Sequence, residues 1–362
     1  MVTLRLVADP SGASWPAPSR GTFVIPSFEF ESGERLENLR LHYQTVGKLQ
    51  ADGDGRATNA VLIMHGTGGS SDQFFRDIFA GELFNPGQPL DATKFFVIFR
   101  DGIGHGRSSK PSDGLRARFP RYGYRDMVHA DHRLLTEGLG VSHLRLVMGT
   151  SMGGMQSWLW AGMYPDFVDA AMPLASLPTQ IAGRNRMSRK MILDAIREDP
   201  RYQGGEYTEK PVHGLKAALN VLTWMSSVPL LWQHEAPDRD TADAFLDKRL
   251  EASLRTTDAN DLLYQVASSS DYDPRPLLKN ITAALLAINS ADDQVNPPEL
   301  GILEVGIKEV RRGRAVVLPI SEATRGHGTH TYAALWKDEL VRLLRESMPR
   351  ANCSVGSGAR AS

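Results

Sequence analysis

The sequence predicts a doubly wound α/β fold, with a mostly parallel sheet, helices on both faces and an inserted helical lid. Three observations predict it. Apolar, β-branched-rich runs alternate with helical patterns along the 362 residues, as a parallel sheet buried on both faces requires. Between about 177 and 275 the strand signal disappears and only helical patterns remain. One apolar run, LRLVM, ends at a glycine-rich corner and resumes as a helix.

In chain order, the predicted strands are LRLHYQTVG at 39 to 47, NAVLIMHG at 59 to 66, FFVIFRD at 95 to 101 and LRLVMGTS at 144 to 151. DAAMPLAS at 169 to 176, ITAALLAINS at 281 to 290 and RAVVLPI at 314 to 320 follow. Each is short and bounded by turn residues. The interrupting stretch reads as NRMSRKMILDAIRE, then HGLKAALNVLTWMSSVPLLWQ, then RDTADAFLDKRLEASLRTTDANDLLYQVASS. Met187, Met191, Trp224, Met225 and Trp232 in it are expected mostly to fill a core rather than line a pocket. The resulting division is a core from 20 to 176, a lid from 177 to 275, a second core part from 276 to 350 and a disordered tail from 351 to 362.

Composition excludes several functions. Charge is balanced, 41 basic against 42 acidic residues, which gives no reason to expect nucleic acid or an anionic membrane as the main partner. Cys353 is the only cysteine, so an internal disulfide, a thiolate metal cluster and a cysteine nucleophile all fall away. The first residues lack the apolar core of a secretory signal, no run reaches membrane-spanning length, and a cytoplasmic location is the expectation.

Strand, Gly149-Thr150-Ser151-Met152-Gly153, helix is the arrangement that exposes a serine on a strained turn. The glycines allow strand and helix to approach closely, and the helix N-terminus presents free N–H groups. Ser151 is therefore the predicted nucleophile. A serine hydroxyl needs a base, and the base an orienting acid. In this strand-turn-helix class the order is serine, acid, histidine. ITAALLAINS runs into ADDQVNPPE, which offers Asp292 and Asp293. Asp293 is preferred, with Asp292 as a solvated or capping neighbour. The last loop offers His327, in Gly-His-Gly, and His330, at the start of a helix. The looser setting favours His327 as base. The tetrahedral intermediate needs two N–H donors: Met152, following the serine, and Thr67, in the loop His65-Gly66-Thr67. HGTGGSS lacks the lysine of a phosphate loop, and DGIGHGRSS at 101 to 109 reads as a structural turn.

LHYQTVGKL, NAVLIMHGTGG, LDATKFFVIFRDGIGHGRSS, YRDMVHADHRLL, MGTSMGGMQSWLWAGMYPD, DAIREDPRYQGGEY and RGHGTHTY together resemble the homoserine O-acetyltransferase branch of the α/β-hydrolase fold. The resemblance implies a Ser-Asp-His acyl-enzyme mechanism, no metal or bound organic cofactor, and a homodimer through lid helices. It also implies an aspartate after the histidine and a lid arginine for the homoserine carboxylate. Here those places hold Gly328 and Leu193. Gly66, Leu193 and Arg186 are the substrate-contact candidates, with Arg184 and Arg189 as other substitute cations. Losing both charge partners favours an esterase for short-chain, acetyl esters over transfer from acyl-CoA to an acceptor such as homoserine.

Overall fold

The computed structural model describes residues 15–347. The predicted tail from 351 and Cys353 lie outside them. Eight strands form one sheet: β1 (Ser19–Glu29), β2 (Arg35–Val46), β3 (Ala60–Met64), β4 (Phe96–Arg100), β5 (Leu146–Thr150), β6 (Ala170–Leu174), β7 (Ala284–Ser290) and β8 (Gly313–Leu318). Their order is β1-β2-β4-β3-β5-β6-β7-β8. From β4 to β8 neighbours are parallel, whereas β1 and β2 are antiparallel to each other and β2 to β4. The seven predicted strands are all present, and β1 is an addition.

The apolar continuity of the central strands follows from burial on both faces. Along β3, Ala60, Leu62 and Met64 enter one core layer, while Val61 and Ile63 enter the other. The first layer is closed by α1 (Tyr124–Arg133) and α2 (Met152–Met163), whose Met127, Val128, Trp158 and Leu159 pack into it. After the short α8 (Ile302–Gly306), α9 (Lys337–Glu346) closes the second with Leu340 and Leu343.

Five helices lie between β6 and β7: α3 (Gly183–Glu198), α4 (Val212–Met225), α5 (Pro229–Glu235), α6 (Arg239–Thr256) and α7 (Ala259–Ala267). α3, α4, α6 and α7 share a core of their own, built on Ile192, Ile196, Leu215, Leu250, Leu262 and Val266. Two predicted helical runs each divide. Pro229 opens α5 after an extended Val228, where a proline's missing N–H costs nothing. Asp258 caps α7, its carboxylate accepting from the Asn260 and Asp261 N–H groups at 2.9 and 3.1 Å. α7 also ties this group to the loops that leave the sheet: Asp261 accepts from the Ser112 hydroxyl at 2.6 Å and Gln265 donates to the Gly104 carbonyl at 2.8 Å.

The expectation that the Met and Trp residues of this stretch fill a core is corrected at four positions: Met225 lines the cavity at Ser151, and three others are exposed. Met187, Met191 and Trp224 are 63%, 58% and 76% exposed, because they lie on the helix faces opposite the stripe that carries Ile192, Ile196, Leu215 and Leu219. Among the described residues no helix is long and apolar enough to cross a membrane.

Candidate active site

Ser151 sits where β5 gives way to α2, with φ 55° and ψ −110°, a conformation rarely held by a residue with a side chain. The turn is this tight because glycines flank it. A methyl group on Gly153 would lie 2.1 Å from the Met64 carbonyl oxygen, and one on Gly149 would lie 2.4 Å from the Gly153 backbone. β3, β5 and the first turn of α2 therefore approach more closely than any other side chain allows.

Two loops bring the partners. Asp293, fully buried, follows β7, and its Oδ1 accepts from the Val295 and Asn296 N–H groups at 2.7 and 3.1 Å. His327 lies in the 3₁₀ turn Gly326–Thr331 after β8. Its Nδ1 is 2.8 Å from Asp293 Oδ2, and its Nε2 is 2.8 Å from Ser151 Oγ. A carboxylate only accepts, so Nδ1 carries the ring proton and the Nε2 lone pair faces the serine hydroxyl. Burial pushes the Asp293 carboxyl up, but His327 and the Asn296 and Val295 amides outweigh it and hold the group below the usual aspartate range. The acid thus stays ionised beside the imidazole.

Asp292 is a cap rather than a solvated neighbour. It is 8% exposed, and its Oδ2 accepts from the Gly326 N–H at 2.9 Å, which pins the start of the histidine turn. His330 lies behind His327, ring to ring at 5.4 Å. Burial, with His327 adding to it, lowers its pKa to about 3.

Ser151 and His327 open onto a cavity of about 410 Å³, which Gly66, Thr67, Gln73, Arg76, Arg189 and Ile192 also line, a size suited to a small organic ligand. A neighbouring cavity of about 430 Å³ shares only Val295 with it and touches none of Ser151, Asp293 and His327. Of the substrate-contact candidates, Gly66 lies against Ser151: a methyl group there would be 3.3 Å from the serine Cβ. The other two are corrected. Arg186 is exposed and does not line the cavity, and Leu193 is buried in the core of the helices between β6 and β7. Arg189, three residues after Arg186, and Ile192, next to Leu193, line the cavity in their place.

The side chain of His65 was not singled out by sequence, yet it organises the loop. It is fully buried. Burial, reinforced by Arg100, lowers its pKa to about 3, so the ring is neutral. Nε2 accepts from the Gly102 N–H at 3.0 Å, which leaves the proton on Nδ1, and Nδ1 donates to the Gly66 carbonyl at 2.8 Å. That carbonyl also accepts from the Gly69 N–H at 3.0 Å. In a trans peptide the C=O and the following N–H point in opposite directions, so pinning the Gly66 carbonyl fixes where the Thr67 N–H points. Met152 is the first residue of α2, whose opening N–H groups have no acceptor within the helix. A hydroxyl, an imidazole, a carboxylate and helix-terminal amides so arranged are able to carry acyl transfer. Among the described residues no three His, Cys, Asp or Glu side chains are grouped to hold a metal ion.

Comparison with known proteins agrees with this architecture. The α/β hydrolase fold family matches residues 59–305. A probable acyltransferase of Methanothermobacter thermautotrophicus is 30% identical over 77% of this chain and 84% of its own. The homoserine O-acetyltransferase of Haemophilus influenzae is 30% identical over 71% and 77% respectively. Among solved structures, the acetyl esterase MekB superposes with a TM-score of 0.78 at 25% identity, covering 90% of this chain and 96% of that one. The chain belongs to the α/β-hydrolase fold family, in its homoserine O-acetyltransferase-like branch.

Proposed function

We propose that the protein is a carboxylic-ester hydrolase for short-chain, chiefly acetyl, esters, with residues 177–275 acting as a lid over the site. The observation that carries this reading is the continuous relay from Ser151 through His327 to Asp293, with 2.8 Å at each step. His327 Nε2 removes the hydroxyl proton as Ser151 Oγ attacks the ester carbonyl. The N–H groups of Thr67 and Met152 hold the oxyanion. The C–O bond to the alcohol then breaks, and the alcohol leaves with the proton from His327. Water, deprotonated by the same nitrogen, attacks the acyl-serine, and the acid departs while Ser151 regains its proton. Asp293 stays ionised throughout and holds the imidazolium in place. No step needs a metal or cofactor.

Acyl transfer to homoserine is the second reading, favoured by the names of the relatives. The cavity weighs against it, because no carboxylate lines it to meet an ammonium group, and the residue after His327 is glycine. A lid-to-lid homodimer accompanies the leading reading and is supported by exposed Trp224 and Leu230 on α4 and α5. Its check is the mass in solution, which for a dimer is twice 39.8 kDa. The functional test pairs two assays. A fluorophosphonate should label the protein and fail to label Ser151→Ala, and acetate should be released from an acetyl ester with no acceptor present. Acetyl-CoA consumption that depends on homoserine, with no ester hydrolysis, would move the assignment to the transferase.

A further inference from the structure

Three arginines in the described structure are buried, and two of them have a carboxylate. Arg100 is 2.9 Å from Asp131, and Arg145 is 4.0 Å from Asp169. Arg189 is the exception. It is 6% exposed, and its Nε donates to Asn185 Oδ1 at 2.9 Å and its Nη1 to Ser269 Oγ at 3.1 Å. The Tyr124 hydroxyl is a third partner; all three are neutral, so the guanidinium is fixed in place without being neutralised, and no carboxylate takes its N–H groups. It lines the cavity that holds Ser151 and His327, and no aspartate or glutamate lines that cavity. Arg76, exposed at the same cavity, adds a second positive charge. An unpaired buried charge is costly, and a preset guanidinium is the group best shaped to receive a carboxylate through two parallel hydrogen bonds.

We propose that the substrate of this site is an anionic ester whose carboxylate docks on Arg189 while its ester carbonyl meets Ser151. The inference rests on the hydrolase reading above and narrows it to one substrate class. A cavity of about 410 Å³ with apolar walls at Ile192, Leu222 and Met225 has room for a small organic acid. With cations and no lining carboxylate, it selects a net-negative molecule over a zwitterion. The carboxylate belongs either to the alcohol half, as in an O-acetylated hydroxy acid, or to the acyl half, as in the half-ester of a dicarboxylic acid.

Two matched pairs decide between these sources: 3-acetoxypropionate against 3-acetoxypropionamide, and monoethyl succinate against ethyl succinamate. In one pair the wild-type kcat/KM for the acid should exceed that for the amide by about tenfold or more, the effect of a charged partner held at a buried site. The pair that shows it identifies the half that carries the charge. Arg189→Met should bring that ratio close to one, and Arg189→Lys should keep part of it. A purely structural role for Arg189 would lower both members of a pair together and leave the ratio intact. A wild-type ratio near one in both pairs overturns the proposal, and that result stands even if the variants fail to fold. A separate measurement isolates the hydrolase reading. Succinate or 3-hydroxypropionate should raise the melting temperature of wild type and of Ser151→Ala alike, but not that of Arg189→Met. Stabilisation by the acids without any Ser151-dependent turnover would sink the hydrolase and keep the anion site; turnover without either preference or stabilisation would do the reverse.

Discussion

The proposed chemistry leans on His65, a residue that does not line the cavity at Ser151. Its Nδ1–H holds the Gly66 carbonyl and its Nε2 holds the Gly102 amide, so one neutral ring ties the Gly66–Thr67 loop to the turn after β4. Replacing it by phenylalanine keeps the bulk and frees the Gly66–Thr67 peptide to rotate. Loss of one oxyanion donor elsewhere costs roughly 10² to 10³ in kcat. His65→Phe should therefore lower kcat by at least ~10-fold with KM little changed, and His65→Asn, whose amide is able to donate to Gly66, should recover part of the loss. A rise in KM with unchanged kcat would contradict the role. At this scale sequence revealed what chain order and turn chemistry constrain: Ser151, Asp293 and His327 stand in the required order, and the structure brings them together. Arg189 is less legible because it is one of several arginines on a single helix. A signal was present all the same, since Arg189 lies three, four and seven residues before Ile192, Leu193 and Ile196, all buried. A charge on the apolar stripe of a helix is worth following.

Elements were legible in proportion to how strictly burial fixes their pattern. The five-residue strands β3 to β6 are buried at every position and read as unbroken apolar runs. β1 escaped because SRGTFVIPSFE lies at an edge, alternates in burial and carries Pro26, a residue that demotes a strand pattern. The helices between β6 and β7 were legible as a group but not in number, because the breaks at Pro229 and Asp258 depend on local capping rather than on periodicity. Two substitutions test these elements. Asp258→Ala removes the α7 cap, and its carboxylate also accepts from the Tyr207 hydroxyl at 2.5 Å. It should cost about 1–2 kcal/mol of unfolding free energy, read from the urea midpoint, and no change would mean that α7 is held by its packing alone. Gly153→Ala should be far worse, because its methyl group has only the Met64 backbone to displace. A loss above ~2 kcal/mol, or failure to fold, is expected.

For the molecule as a whole, the burial that builds the site also sets how the protein responds to acid. His65 and His105 are both fully buried, 5.0 Å apart ring to ring. Burial, with Arg100 adding to it, lowers His65 from 6.5 to about 3. Burial, with His65 adding to it, lowers His105 well below 6.5. Each therefore stays neutral in the folded chain while the unfolded chain takes up a proton below pH 6.5, so folding loses stability as pH falls through that value. Asp261 acts in the opposite sense. Its pKa is raised, mainly by burial, from 3.8 to about 6. The folded chain then binds that proton first, and acid between pH 6 and 3.8 favours folding. His65 and His330, each lowered by burial to about 3, each contribute a loss of about 2 kcal/mol at pH 5, and His105 acts in the same direction, against a gain of about 1.4 kcal/mol from the aspartate. The histidines win, and the protein should be less stable at pH 5 than at pH 7.5. Denaturant unfolding at the two values measures this difference. Asp261→Asn, which removes the opposing group, should enlarge the drop. If stability stays level across that range, then at least one of the buried rings of His65, His105 and His330 is protonated in the folded state. The tautomer that aims the Thr67 amide would be wrong with it if that ring is His65, since a charged imidazole has no lone pair to accept the Gly102 N–H.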